Sequence, residues 1–184
     1  LADLTGLHIL TLDKTLITDI AALGGMTGMH SLWLNNTKIS DISALRDMTG
    51  LRELWLNETR VKDISALSRM IAMQVLGLTG TEITDISSLR SLNEIEILGL
   101  SATQISDISE IRRMTKMKTL VLSSTRVEDL SPLIAMAQLD GRRRGRGLWI
   151  SNTPATRADP ILAEYAEIED NAERTQKIMA YLRK

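Results

Sequence analysis

Threonine recurs at Thr15, Thr37, Thr59, Thr81, Thr103 and Thr125, always 22 residues apart. Aspartate keeps the same step at Asp19, Asp41, Asp63, Asp85, Asp107 and Asp129. A fixed period of this length predicts a solenoid, in which each repeat packs only on its neighbours, and argues against a globule built around one centre. Such a fold also narrows function: solenoids present long surfaces and generally bind other molecules.

Seven further columns of the repeat are apolar. Before each Thr stand the pairs Leu10/Leu12, Leu32/Leu34, Leu54/Leu56, Leu76/Leu78, Leu98/Leu100 and Leu120/Leu122, preceded by Leu7, Met29, Leu51, Met73, Ile95 and Met117. After it come Ile17 through Val127, Ile20 through Leu130, Leu23 through Leu133 and Met26 through Met136. Leu-x-Leu has period two, so both leucines face one side of a short strand. Parallel strands in successive coils need a crossover, which the rest of each repeat supplies. In Asp-Ile-Ser the acid is expected to N-cap a short helical turn on the convex side. With roughly 1.5–3 kcal/mol for each buried large aliphatic, stacked coils offset the ordering cost that a lone repeat cannot.

The consensus L-x-x-L-x-L-x-x-T-x-I-x-D-I-x-x-L-x-x-M resembles the leucine-rich repeat family over residues 1 to about 158. Its length and its I-x-D-I-x-x-L segment are most similar to two branches, the bacterial internalin-like repeats and the repeats of the regulatory subunit of type-1 protein phosphatase. The resemblance implies an α/β solenoid: a leucine-rich repeat horseshoe with a parallel concave sheet and short helical or 3-10 convex segments. It also implies a protein partner, since internalins bind host surface proteins and the phosphatase regulator binds its phosphatase. One column departs from the family, which usually places Asn where this chain has Thr. A single hydroxyl there implies a thinner hydrogen-bond ladder between coils.

The two ends of the repeat differ. Leu1, Leu4 and Leu7 are the columns of Leu23, Met26 and Met29 one period earlier, so the chain begins inside a repeat with no N-terminal cap. The expectation is a piece of a longer protein. At the far end the next strand leucine is due at position 142 and appears at Leu148, after six inserted residues in Asp-Gly-Arg-Arg-Arg-Gly-Arg-Gly. Beyond it, Asp159-Pro160 reads as an N-cap and first helical residue. Residues 1–158 are therefore expected to form the solenoid and 159–184 a C-terminal helical cap of two helices, the second starting near Asn171. Internalins typically continue into an immunoglobulin-like domain, which these helices do not resemble.

The 184 residues include no Cys, which removes disulfides and thiolate metal sites, and the net charge of −1 gives no global attraction to nucleic acid or to an anionic membrane. No apolar run is long enough to span a bilayer, and no signal peptide is visible.

Candidate chemistry lies on the outward strand column, which reads Thr11, Trp33, Trp55, Gly77, Gly99, Val121 and Trp149. Trp33 and Trp55 fall on adjacent strands about 4.8 Å apart. Large exposed aromatics call for a cover, and tryptophan is enriched at binding hot spots. The alternative is that the rings cover only their own neighbours. Gly77 and Gly99 beside the pair are expected to leave a flat place for a ligand. The partner-binding set is therefore Trp33, Trp55 and Trp149, with Ser31, Glu53, Asn35 and Asn57 as polar neighbours. Arg142, Arg143, Arg144 and Arg146 form a possible basic docking loop for an acidic partner or phosphates. A solvated insertion accounts for them more simply, since the only aromatic nearby is Trp149 and the rest of the chain is not basic.

His8 and His30 share a column but lack a third ligand, so they read as two solvated histidines rather than a metal site. The aspartates recur once per coil at a capping position and read as structure. There is no nucleophile elbow, phosphate-cradling loop or metal motif, so neither a catalytic residue nor a cofactor is expected. The expected function is non-enzymatic: a monomeric module that binds a protein or peptide on its concave face, with neither nucleic acid nor membrane as partner. The alternative is the recognition arm of a larger enzyme, a bacterial GTPase or a ubiquitin-ligase effector, with catalysis outside this segment.

Overall fold

The computed structural model describes residues 6–139, 141 and 146–184. Seven short strands form one parallel sheet in sequence order: β1 (Ile9–Thr11), β2 (Ser31–Trp33), β3 (Glu53–Trp55), β4 (Val75–Gly77), β5 (Ile97–Gly99), β6 (Thr119–Val121) and β7 (Gly147–Trp149). The register follows the repeat. Leu10 pairs with Leu32 and Leu32 with Leu54, and Leu120 pairs with Leu148 across the insertion. Between strands the chain returns through 3-10 turns at Ala21–Leu23, Ser43–Leu45, Ser65–Arg69, Ser87–Leu89, Ser109–Arg113 and Ser131–Ala135. The result is an open curved sheet backed by short convex turns, a leucine-rich repeat solenoid.

Leucine, isoleucine and methionine columns fill the space between sheet and turns, and from Met29 to Leu122 almost all of these side chains are wholly buried. At the first coil the same columns are only half-buried at Leu7, Leu10, Leu12 and Ile17.

Two local devices differ from the sequence expectation. Each repeat aspartate does bind the start of its turn, but one residue earlier than an N-cap: Asp41 Oδ1 accepts from Ser43 N at 2.7 Å, and the cap position is Ile42. The same bond recurs at Asp19, Asp63, Asp85, Asp107 and Asp129. The threonines form no ladder. Thr37 Oγ1 donates to Leu34 O at 2.8 Å, and the others likewise bond the carbonyl three residues back. A hydroxyl on a two-atom stem reaches its own turn but not the next coil.

Three helices, not two, follow the last strand: α1 (Pro154–Ala158), α2 (Pro160–Ala166) and α3 (Asn171–Leu182). The additional α1 starts at a capping box in which Thr153 and Thr156 bond reciprocally, with Pro154 in the first turn. Asp159 caps α2 by accepting from Ile161 N and Leu162 N, and its other oxygen accepts from Tyr181 OH at 2.8 Å, tying α2 to α3. The outer edge of β7 is closed by α3. Leu148 N donates to Thr175 Oγ1 at 3.0 Å, and Leu148 O accepts from Arg174 Nε at 3.0 Å. Both edge-facing groups of the central residue are thus satisfied, which protects an edge that would otherwise template further pairing. Two glycines permit this approach. At Gly141 (φ +67) a Cβ would stand 2.6 Å from Asn171 O, and at Gly147 it would stand 2.5 Å from Thr175 Oγ1.

Candidate functional site

Three side chains per coil face the concave side, at the first and last positions of each strand and two residues beyond. Along the sheet the middle row runs Thr11, Trp33, Trp55, Gly77, Gly99, Val121 and Trp149, with each residue in register with the next. Trp33 and Trp55 are therefore true neighbours, both half-buried.

Trp55 leans along the stack. A Cβ on Gly77 would collide with Trp55 Cε3 and come within 2.9 Å of the Asn57 amide. Gly77 is consequently buried beneath the indole rather than open to a ligand, which corrects the flat place expected from the two glycines. The ring is held from its other end: Trp55 Nε1 donates to Glu53 Oε1 at 2.6 Å. Glu53 thus positions Trp55. Trp33 has Ser31 in place of that glutamate, and Trp33 Nε1 is buried with no hydrogen-bond partner. Gly99 remains half-open, with Thr79 Oγ1 3.2 Å from the place of a Cβ.

Asn35 and Asn57 have structural duties. Asn35 N donates to Asp13 Oδ1 at 2.7 Å, Asn57 N to Asn35 Oδ1 at 3.0 Å, and Thr79 N to Asn57 Oδ1 at 2.9 Å. This is the inter-coil ladder that the sequence placed at threonine, displaced two residues toward the strand. The amide nitrogen of Asn35 also donates to Asp13 Oδ2 at 3.3 Å.

Trp149 stands apart from the other two tryptophans. The Arg174 guanidinium lies 4.7 Å above its ring, so this indole serves the cap. Arg174 is 5% exposed and also donates to Ile168 O and Asn171 Oδ1. Burial pulls its guanidinium below the ordinary arginine value, against the raising effect of Asp170. Of the arginine loop, Arg142, Arg143 and Arg144 lie outside the described residues; Arg146 is half-buried just before β7.

His8 and His30 stack with ring centroids 4.9 Å apart, and His8 Nδ1 lies 2.8 Å from Gly28 O. Among the described residues no group of three or more metal-ligating side chains occurs. No described helix is long and apolar enough to cross a membrane.

Of one row on the same face, sequence reasoning named only Asn35 and Asn57 as binding residues. Two residues beyond each strand the column reads Asp13, Asn35, Asn57, Thr79, Ser101, Ser123 and Ser151. Acceptor-rich side chains give way to hydroxyls halfway along. The change was readable by extending the 22-residue period through that column, with the six-residue insertion counted before Ser151.

The family model described as Leucine Rich repeats (2 copies) matches residues 5–47. No curated protein sequence matches the chain. Among solved structures, an internalin C2 of Listeria monocytogenes is similar at 31% identity and a TM-score of 0.73, over 76% of this chain and 62% of that one. An internalin F of the same species aligns at 27% identity and a TM-score of 0.55, over 83% of this chain and 56% of that one. A leucine-rich repeat protein of Leptospira interrogans shares the fold at 17% identity and a TM-score of 0.73, over 83% of this chain and 39% of that one. The chain thus spans less than two thirds of the length of each.

Proposed function

Since the repeats are leucine-rich repeats similar to those of bacterial internalins, we propose that the chain is a non-enzymatic interaction module that receives a protein or peptide on its concave face, centred on Trp33 and Trp55. The observation that carries this reading is the pair of half-buried indoles in register on β2 and β3, one of them pinned by Glu53. A fixed aromatic surface loses little conformational entropy when a partner covers it, which is why such groups dominate binding energy. Ser31 and the free edges of Asn35 and Asn57 lie beside the pair and supply polar contacts at its rim. Trp149 is left out of the binding set because Arg174 stacks on one face of it and β7 lies at the other end of the sheet from Trp33 and Trp55.

The test begins with photo-cross-linking through a benzophenone side chain introduced at Val121, to identify a partner on this face. Affinity is then measured for Trp33→Ala, Trp55→Ala and the convex control Arg69→Ala. Truncation of a tryptophan hot spot costs about 2 kcal/mol or more, a loss of about thirtyfold in affinity. The control is expected to bind as the parent does. Normal binding by both tryptophan variants at unchanged thermal stability sinks the reading.

A further inference from the structure

The concave face changes character between β4 and β5 at the level of backbone hydrogen bonds. In the first coils the N–H two residues past each strand is closed by a side-chain oxygen from the preceding coil: Asp13 for Asn35, Asn35 for Asn57 and Asn57 for Thr79. From there the column supplies only hydroxyls. Among the described residues the N–H groups of Ser101, Ser123 and Ser151 donate to no protein acceptor. The backbone itself does not change. Lys14 N, Asn36 N and Glu58 N donate to the carbonyls of Asn35, Asn57 and Thr79 at 2.8 Å, and Gly80 N, Ala102 N and Ser124 N do the same to Ser101, Ser123 and Ser151 at 2.8, 3.0 and 2.9 Å. The donors stay in place while the column holds side chains that do not reach them.

Two side chains on the same face repeat the pattern. Ser101 Oγ is buried and has no partner. Thr119, on β6 four residues before Ser123, is 5% exposed, and its Oγ1 is also unpaired. A buried polar group without a partner is costly and needs an explanation. The Ser123 and Ser151 hydroxyls meet each other, Ser151 Oγ donating to Ser123 Oγ at 3.0 Å. Gly99 carries no side chain to block the approach to Ser101.

From this we infer that the row of Ser101, Ser123 and Ser151 binds a carboxylate carried by the partner, an inference that rests on the concave face being the docking surface. The first coil shows what such a group does in this slot. Asp13 closes the rung with both oxygens, Oδ1 on Asn35 N and Oδ2 on the Asn35 amide. A partner carboxylate at Ser101 and Ser123 takes the place of the missing Asp or Asn. It can accept from the N–H groups of Ser101 and Ser123, which belong to adjacent coils about 4.8 Å apart. Bonds from backbone N–H to a charged acceptor are among the stronger hydrogen bonds. An aspartate, a glutamate or a chain terminus would serve alike.

The test is a titration of the 15N-labelled chain followed by amide shifts. The probes are acetyl-Asp-Gly-Asp-amide for side-chain carboxylates, acetyl-Gly-Gly with a free C-terminus, and acetyl-Asn-Gly-Asn-amide as the uncharged control. The Ser101 and Ser123 amide protons are expected to move downfield with one or both carboxylate probes. The uncharged control is expected to bind at least about tenfold more weakly, the loss of one charge-assisted bond. Thr79→Asn restores an internal acceptor for Ser101 N, and Ser101→Asn does so for Ser123 N. Each is expected to abolish the response at its own rung and to slow amide exchange there, even without probe. If the wild-type serine amides do not move, the inference is wrong. If the asparagine peptide moves them equally, the choice of a carboxylate is wrong. Partner binding that depends on Trp33 and Trp55 while the serine row stays silent removes this inference alone. A responsive row with binding indifferent to both tryptophans removes the tryptophan reading alone.

Discussion

On β2 and β3 the middle concave row carries Trp33 and Trp55 and the next row Asn35 and Asn57; on β5 and β6 the same rows carry Gly99 and Val121, then Ser101 and Ser123. The strands are continuous and in register across the boundary, so backbone geometry does not distinguish the halves. In the N-terminal half side chains reach along the stack and complete the next coil: Trp55 roofs Gly77, and the asparagine oxygens take the next coil's N–H. In the C-terminal half the hydroxyls of Ser123 and Ser151 meet each other, but no described side chain takes the N–H of Ser101, Ser123 or Ser151. A repeat protein can thus change from a self-satisfied surface to a receptive one by side-chain length alone, without altering the coil.

The largest expected effect comes from adding one methyl group at equivalent sites. Gly77→Ala places a Cβ inside the Trp55 ring, so the indole must swing out and release Glu53. Overpacking of this kind costs about 1–3 kcal/mol. Gly99→Ala meets Thr79 Oγ1 at 3.2 Å, from which a shift of a few tenths of an ångström suffices, and Gly77 Cα at an ordinary 3.9 Å. Its reduction of unfolded-state freedom stabilises by roughly 0.4–1 kcal/mol, so the two substitutions are expected to have opposite signs. Urea titrations of both variants check this. Equal destabilisation by the two would mean that Trp55 does not roof Gly77 in solution.

A smaller contrast is expected in the adjoining row. Asn57→Ala removes the acceptor of Thr79 N and is expected to cost about 1 kcal/mol, the lower end of the range for an abandoned donor, because the site is half-open to water. Ser101→Ala removes a buried hydroxyl that bonds nothing and is expected to be at least as stable as the parent. Faster amide exchange at Thr79 in the first variant, with Ser123 unaltered in the second, is the local signature. A cost for Ser101→Ala matching that of Asn57→Ala would show that the serine row is already closed.

Much of this molecule was legible in the chain because period and register are the same information in a solenoid. The columns named the buried residues, and counting six extra residues before Leu148 set the pairing with Leu120. The pairing of Trp33 with Trp55 followed from the same count. Reach was less legible. A period states which side chains are neighbours, not which way each leans, so Gly77 read as open when Trp55 covers it. Threonine read as a ladder because asparagine in that column implies one, whereas its hydroxyl turns back to its own carbonyl. The role of Trp149 depended on Arg174, whose position follows from α3 folding back on β7 and from no repeat. Thr153-Pro154, the start of α1, was readable as an N-cap and first-turn proline and was passed over because the solenoid was expected to run through it.

The smallest expected effect is a control, since the convex carboxylates run through both halves alike. Asp41 and Asp63 in the first half are held below the ordinary 3.8 chiefly by the backbone N–H of Ser43 and Ser65. In the second half Asp85 is lowered first by the Ser87 hydroxyl and then by its N–H, and Asp129 by the N–H and hydroxyl of Ser131. A carboxyl whose folded value lies below its unfolded one leaves the unfolded chain holding more protons between the two, so stability rises with pH there. Their contribution is therefore complete above about pH 3.8 and lost as pH falls through the folded values. These side chains are exposed, so each share is small. Acid is expected to lower amide protection, taken relative to intrinsic exchange at each pH, by similar factors in the turns of both halves, leaving the contrast between Thr79 and Ser123 on the concave side unchanged. Ser87→Ala is expected to be slightly less stable than the parent at neutral pH and to converge with it in acid, where Asp85 is protonated in both. Acid that loosens one half alone would show that the convex turns and the concave rows are coupled, and the difference between the halves could then no longer be credited to side-chain reach.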